Sequence, residues 1–192
     1  MRKFFFIGLI LIFTSKSFSQ TSNFTIEANY PMLIDNNFYG REYNGILDLG
    51  AKYRAVEFKN LKLGAAINTG LLIDNSNSNQ DLSDFRVASY LLQPKIFTEL
   101  NIPTLSKLHP FVGLGYSFLI SDVSGTISGL DVSDTSTRNG INVNFGIYYD
   151  LNNNIFLQIQ YDFVKFRMDE KMPNDSFITN MNILKIGLGL RL

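Results

Sequence analysis

NMNILKIGLGLRL, residues 180–192, sets Leu184, Ile186, Leu188, Leu190 and Leu192 at every second position, with Asn182, Lys185, Gly187, Gly189 and Arg191 falling mostly between them. A strand turns successive side chains to opposite faces, so this segment has one apolar face and one that is small or charged. The same two-residue period recurs in INVNFGIYYD, residues 141–150. There Ile141, Val143, Phe145, Ile147 and Tyr149 oppose Asn142, Asn144, Gly146 and Asp150. In IFLQIQYDF, residues 155–163, Ile155, Leu157, Ile159, Tyr161 and Phe163 oppose Gln158, Gln160 and Asp162. In LKLGAAINTGLLI, residues 61–73, Leu61, Leu63, Ala65, Ile67, Thr69 and Leu71 oppose Lys62, Gly64, Ala66, Asn68 and Gly70.

Eight such segments are predicted, over residues 23–34, 44–55, 60–73, 87–100, 110–121, 140–150, 155–166 and 180–192. None reads as an amphipathic helix. Their connections alternate in length: 35–43, 74–86, 122–139 and 167–179 are long, and each exceeds its short neighbours. The long ones are polar and turn-rich, as in DNSNSNQDLSD at residues 74–84, and read as mobile loops. An even number of strands of about ten residues, with short turns at one end and long loops at the other, describes an antiparallel up-and-down transmembrane β-barrel of a bacterial outer membrane. The long loops are then expected to face out of the cell.

The N-terminus agrees with export. Arg2 and Lys3 precede an apolar run from Phe4 to Phe13, and Ser17 and Ser19 stand before Gln20. This is the order of a secretory signal, predicted to be residues 1–19 and cleaved before Gln20, with residues 20–192 forming one barrel domain. Removing Arg2, Lys3 and Lys16 from the 17 basic residues leaves 14 against 17 acidic ones, which argues against a nucleic-acid partner. Cysteine is absent, which excludes disulfides, cysteine-ligated zinc and a lipidated N-terminal cysteine. The sole histidine, His109, reads as a turn residue before Pro110 at the short-turn end, so neither a catalytic residue nor a cofactor is expected. The acidic pairs Asp81 with Asp84 and Asp131 with Asp134 read as solvated loop carboxylates, and no metal site is assigned.

Alternation does not say which face is inside, because a soluble lipocalin-like carrier also has eight strands and buries its apolar face around a ligand. The glycines favour the membrane barrel, with the soluble carrier as the alternative. Gly64, Gly70, Gly113, Gly115, Gly146, Gly187 and Gly189 all lie on the polar face, where a narrow barrel interior needs room and a wet outer surface does not. Aromatic residues fall near both strand ends: Tyr30, Tyr90, Phe118, Tyr161 and Phe163 at one, Phe24, Tyr53, Phe111 and Tyr149 at the other. They are expected to form two interfacial girdles. Glu27, Asp48, Lys52, Lys62, Lys95, Glu99, Asp150, Asp162, Lys185 and Arg191 share the polar-face parity. Buried charges persist when paired, so these ten are expected to form a salt-bridge network that plugs the lumen; a narrow ion or small-solute pore is the alternative.

SYLLQPKIFTEL, residues 89–100, followed by KLHPFVGLGYSFLIS, residues 107–121, resembles a tandem in the small outer-membrane β-barrel proteins common in Bacteroidota, the porin-family or OmpA/OmpX-like barrels. The matching positions are Pro94, then Pro110, Phe111, Gly113 and Gly115. The resemblance implies residence among outer-membrane lipids and insertion by the outer-membrane assembly machinery; it implies no reaction and names no loop partner. Pro94 cannot donate to a ladder, and a β-bulge at Gln93 or Pro94 is expected to absorb the loss.

Overall fold

A computed structural model describes residues 23–74, 86–127, 130–168 and 175–192. The expected signal segment, the cleavage point before Gln20, and Asp81 and Asp84 lie outside the described residues. Eight strands form one closed antiparallel sheet in chain order, with the last strand paired to the first. They are β1 (Phe24–Leu33), β2 (Tyr43–Phe58), β3 (Leu61–Asp74), β4 (Arg86–Leu100), β5 (Leu108–Ile127), β6 (Leu130–Asp150), β7 (Ile155–Phe166) and β8 (Asn180–Arg191). Two single-turn helices, α1 (Phe38–Glu42) and α2 (Asp175–Thr179), lie in the first and last long connections.

The alternation resolves into two surfaces. Ile141, Phe145, Ile159, Ile186 and Leu188 are exposed on the outside, whereas Asn142, Asn144, Gln158, Gln160, Asp162 and Lys185 are buried inside. Asn182 shares the outward parity of Leu184, not the inward one, and accepts a hydrogen bond from the Tyr161 hydroxyl while donating to Asp35 at the long-loop rim. The interior is narrow. A Cβ on Gly146 would lie 2.5 Å from the Ile159 carbonyl oxygen and 2.6 Å from the Phe111 ring. Gly146→Leu is therefore expected to block closure, and loss of heat-modifiable gel migration after refolding is the readout.

The short turns are built from local hydrogen bonds. Asn152 Oδ1 accepts from the backbone N–H groups of Asn154 and Ile155 at 2.9 and 2.8 Å, closing the β6–β7 turn. A 3₁₀ turn at Pro103–Leu105 carries β4 into β5.

Pro94 departs from expectation. The ladder to β5 omits Gln93 and Pro94, yet Leu92↔Phe118 and Lys95↔Gly115 keep one register, so the missing donor opens a gap in the ladder without a bulge. The bulges lie instead in β2, between Gly45 and Leu47 and between Arg54 and Val56. Each turns two consecutive residues outward: Ile46 with Leu47, and Ala55 with Val56.

The third long connection also departs from expectation. Residues 122–127 and 130–139 do not form an irregular loop; β5 and β6 continue through them as a paired ribbon to Ile127↔Leu130. Val123, Thr135 and Thr137 are β-branched, which favours strand in this polar stretch. β4 accompanies β5 as far as Ser124, but β7 leaves β6 at Gly140. Among the described residues, β6 from Leu130 to Arg138 has a strand partner on one edge alone, and the Asn139 carbonyl accepts from the Arg167 N–H at 2.8 Å.

Candidate functional site

The barrel interior is filled in three successive layers. At the long-loop end it is apolar, where Leu72, Leu91, Leu119, Val164, Met181 and Ile183 meet across the lumen. Tyr39 of α1 drops onto them and is buried, with its ring 5.3 Å from that of Phe166. Asn37 caps α1 by accepting from the Gly40 N–H at 2.9 Å and ties it to β8 by donating to the Asn180 carbonyl at 2.7 Å. Gly40 is required here because a Cβ would collide with the Asp35 carbonyl oxygen at 1.8 Å. Arg138 clasps both helices, donating to the Tyr39 hydroxyl at 3.1 Å and to the Ile178 carbonyl at 3.4 Å. Burial raises the Tyr39 phenol above its ordinary pKa, with Arg138 opposing, so the hydroxyl stays protonated.

The middle layer is charged and amide-rich. Lys185 reaches Asp48 at 2.8 Å, Asp162 at 3.0 Å and the Gln93 side-chain oxygen at 2.9 Å. Asp48 also accepts from Asn29 and Asn68, at 3.0 and 2.9 Å. Asp162 accepts from Gln160 and faces Lys95 at 3.6 Å. Ser117 accepts from Gln93 and Asn142, linking β4, β5 and β6.

The third layer, at the short-turn end, mixes rings with ions. Phe111, Tyr148 and Phe156 stack across the lumen, with centroids 4.9 Å apart for both neighbouring pairs. Lys52 pairs with Glu27 at 2.6 Å and stands 4.2 Å above the Phe111 ring. Arg54 binds Glu99 at 2.7 Å and Thr25 at 2.7 Å, and Tyr148 donates to the same Glu99 oxygen. Below them, His109 holds Asn101 through Nδ1 and Asp150 through Nε2, and Arg191 closes on Asp150 at 2.7 Å.

Of the ten charges read from parity, Glu27, Asp48, Lys52, Lys95, Glu99, Asp162 and Lys185 lie buried in the lumen. Asp150 and Arg191 form a pair at the short-turn mouth, each partly exposed. Lys62 stands at that rim, with Glu57 at 3.9 Å and across the β3–β4 ladder from Glu99. Arg54, absent from that reading, completes the set: Lys52, Arg54, Lys95 and Lys185 against Glu27, Asp48, Glu99 and Asp162, four charges of each sign. It has the parity of Asp48 and Lys52, but the bulge after it breaks the alternation that would extend the strand.

Phe111, expected in an outer girdle, is buried in the lumen. Its family-motif neighbours Gly113 and Gly115 sit where a Cβ would meet Asn144 Oδ1 at 2.3 Å and the Pro94 carbonyl oxygen at 2.3 Å. His109 is no turn residue but an inward residue of β5, both of whose ring nitrogens are engaged. No group of three metal-ligating side chains occurs among the described residues.

An apolar exterior around a small, filled, polar-cored interior defines a membrane β-barrel, since a closed barrel satisfies every backbone group in lipid. The chain belongs to the family described as the outer membrane protein beta-barrel domain, whose model matches residues 5–191. Among solved structures it is similar to Neisserial surface protein A (NspA), at 14% identity and a TM-score of 0.54 over 91% of this chain and 100% of that one. It is also similar to Ail, the attachment invasion locus protein of Yersinia pestis, in complex with the heparin analogue sucrose octasulfate, at 11% identity and a TM-score of 0.58 over 89% and 97%. A third is the N-terminal β-barrel domain of Pseudomonas aeruginosa OprF, at 16% identity and a TM-score of 0.53 over 89% and 98%. At these identities the likeness is one of fold. No curated protein matches the sequence.

Proposed function

We propose that this protein is a closed outer-membrane barrel whose function is carried by its long-loop end, as a surface-exposed structural or interaction module, and that its lumen does not conduct. The observation that carries this reading is the apolar outer layer sealed by Tyr39. An ion would have to shed its water to cross that layer, which costs far more than any path through the polar layer beneath it returns. The four-to-four charge balance also favours a filled core over a selective filter, which is built from rings of one sign. Neither feature supports catalysis: His109 has no free ring nitrogen to serve as a base, and it sits at the end remote from the long loops.

The test is single-channel recording of the refolded protein in planar bilayers. Quiet membranes at high salt are expected, and discrete, reproducible conductance steps would overturn the closed-lumen reading in favour of a pore.

The module's most prominent feature is the β5–β6 ribbon, whose β6 edge has no strand partner among the described residues over Leu130 to Arg138. Its backbone groups offer an extended partner segment a template for strand addition, with Asp122, Asp134 and Arg138 beside it to select against unsuitable sequences. In this reading the ribbon projects from the cell and the short turns face the periplasm. Because the chain lacks cysteine, an introduced one is a unique label. Ser133→Cys is expected to react with a membrane-impermeant maleimide on intact cells, and Asn153→Cys only after lysis; the converse pattern would invert the topology.

A further inference from the structure

The outer wall of the barrel is dented over β3, β4 and β5, with a groove of about 570 Å³. Its origin is local. The bulge between Arg54 and Val56 bends β2 at the groove's border and turns Ala55 outward, where it meets Ala65 of β3 in a patch of small side chains. Gly64, Phe97 and Gly113 complete the groove's lining from the sheet beneath, with inward parity that turns their own side-chain positions to the lumen. Leu63, Ile96, Leu114 and Val143 stand around it, and Ile96 is 67% exposed. The lining is almost wholly apolar, and the volume falls in the ~300–1,000 Å³ range of small-molecule sites.

The strands that form the groove end in two basic turns. Lys59, in the β2–β3 turn, and Lys107, entering β5, are exposed, and neither joins an ion pair among the described residues. Each ammonium lies 6.0 Å from an aromatic centroid, Lys59 over Phe58 and Lys107 over Tyr149. The nearby Glu57 faces Lys62. A symmetric second copy of the chain docked here would bring its own two lysines against this pair, which disfavours self-association; an anionic headgroup would be attracted.

We propose that the groove seats an acyl chain of an anionic glycerophospholipid in the leaflet at the short-turn end, with Lys59 and Lys107 meeting its phosphate. The site rests on the outer wall lying in a bilayer, and its test separates the two. The chain contains no tryptophan, so Leu114→Trp at the groove and Ile186→Trp on β8 are each sole reporters. Each is refolded into vesicles of phosphatidylcholine and phosphatidylglycerol in which one lipid or the other carries brominated, fluorescence-quenching chains. Two lysines near a lipid surface should enrich the anionic lipid up to about thirtyfold. Leu114→Trp is then quenched far more by brominated phosphatidylglycerol than by brominated phosphatidylcholine, and adding Lys59→Gln and Lys107→Gln abolishes the difference, while Ile186→Trp responds equally to both throughout. Equal quenching at Leu114→Trp would overturn the site and leave the membrane reading intact. Quenching at Ile186→Trp with none at Leu114→Trp would assign the groove to a second copy, and no quenching at either position would refute the bilayer itself.

Discussion

Lys185→Met is expected to destabilise the folded barrel by about 3–5 kcal/mol, the cost of removing one partner from a buried ion cluster. Methionine fills a similar volume, so the loss is chiefly electrostatic. The buried Lys185 ammonium bridges the Asp48 and Asp162 carboxylates, at 2.8 and 3.0 Å. Its removal leaves the lumen with one surplus negative charge that no solvent screens. Adding Asp48→Asn restores the balance, keeps an acceptor for Asn29 and Asn68, and leaves Asp162 with Lys95. The double variant is therefore expected to recover a large part of the loss. Reversible denaturant unfolding in lipid vesicles measures all three variants as a double-mutant cycle. A near-neutral Lys185→Met would mean that the cluster is hydrated enough to tolerate a lone carboxylate, contrary to a sealed interior.

Ile159→Arg tests the opposite face. Ile159 is 52% exposed on the outer wall, midway along β7, flanked by Ile147 on β6 and Ile186 on β8. A cation held there among hydrocarbon chains should cost about 2–4 kcal/mol, falling towards zero nearer either interface. Ile155→Arg, at the first residue of the same strand, supplies the shallow control. Because a one-residue slip exchanges lumen and lipid for every side chain in the strand, the same assay reads the register. Equal and negligible costs at both positions would place β7 outside a bilayer.

The outer face is legible in the sequence because lipid imposes one requirement along its whole height: Ile141, Val143, Phe145, Ile147 and Tyr149 all answer it. The interior is legible only in its middle. There, charged residues on the polar parity cannot be mistaken, and Asp48, Lys95, Asp162 and Lys185 follow from spacing alone. Nearer the ends the lumen is packed with side chains whose chemistry names the wrong face. Tyr148 and Phe156 hold inward positions between residues of the apolar outer face, and Met181 and Ile183 interrupt the polar parity of β8. Hydrophobicity cannot separate packing against lipid from packing against other side chains. The amides Asn29, Asn68 and Gln158 carry the hydrogen bonding of the core, but as residue types they equally suit turns. The ribbon of residues 122–127 and 130–139 is hidden for a related reason, since its serines and aspartates read as loop while its regular pairing depends on a partner strand.

Seven of the eight strand pairings join neighbours along the chain and can form as hairpins, within microseconds of their two halves being close. The eighth cannot. Thr25 through Leu33 must find Arg191 through Ile183, more than 140 residues away, and Leu192 N–H must find the Phe24 carbonyl. Contacts of such high sequence separation are slow to form. Until they form, β1 and β8 each present a bare edge able to recruit another chain. The competition between cyclisation and edge-to-edge aggregation is thus decided at this seam, and the time an unclosed sheet must be shielded is set by its slowest pairing.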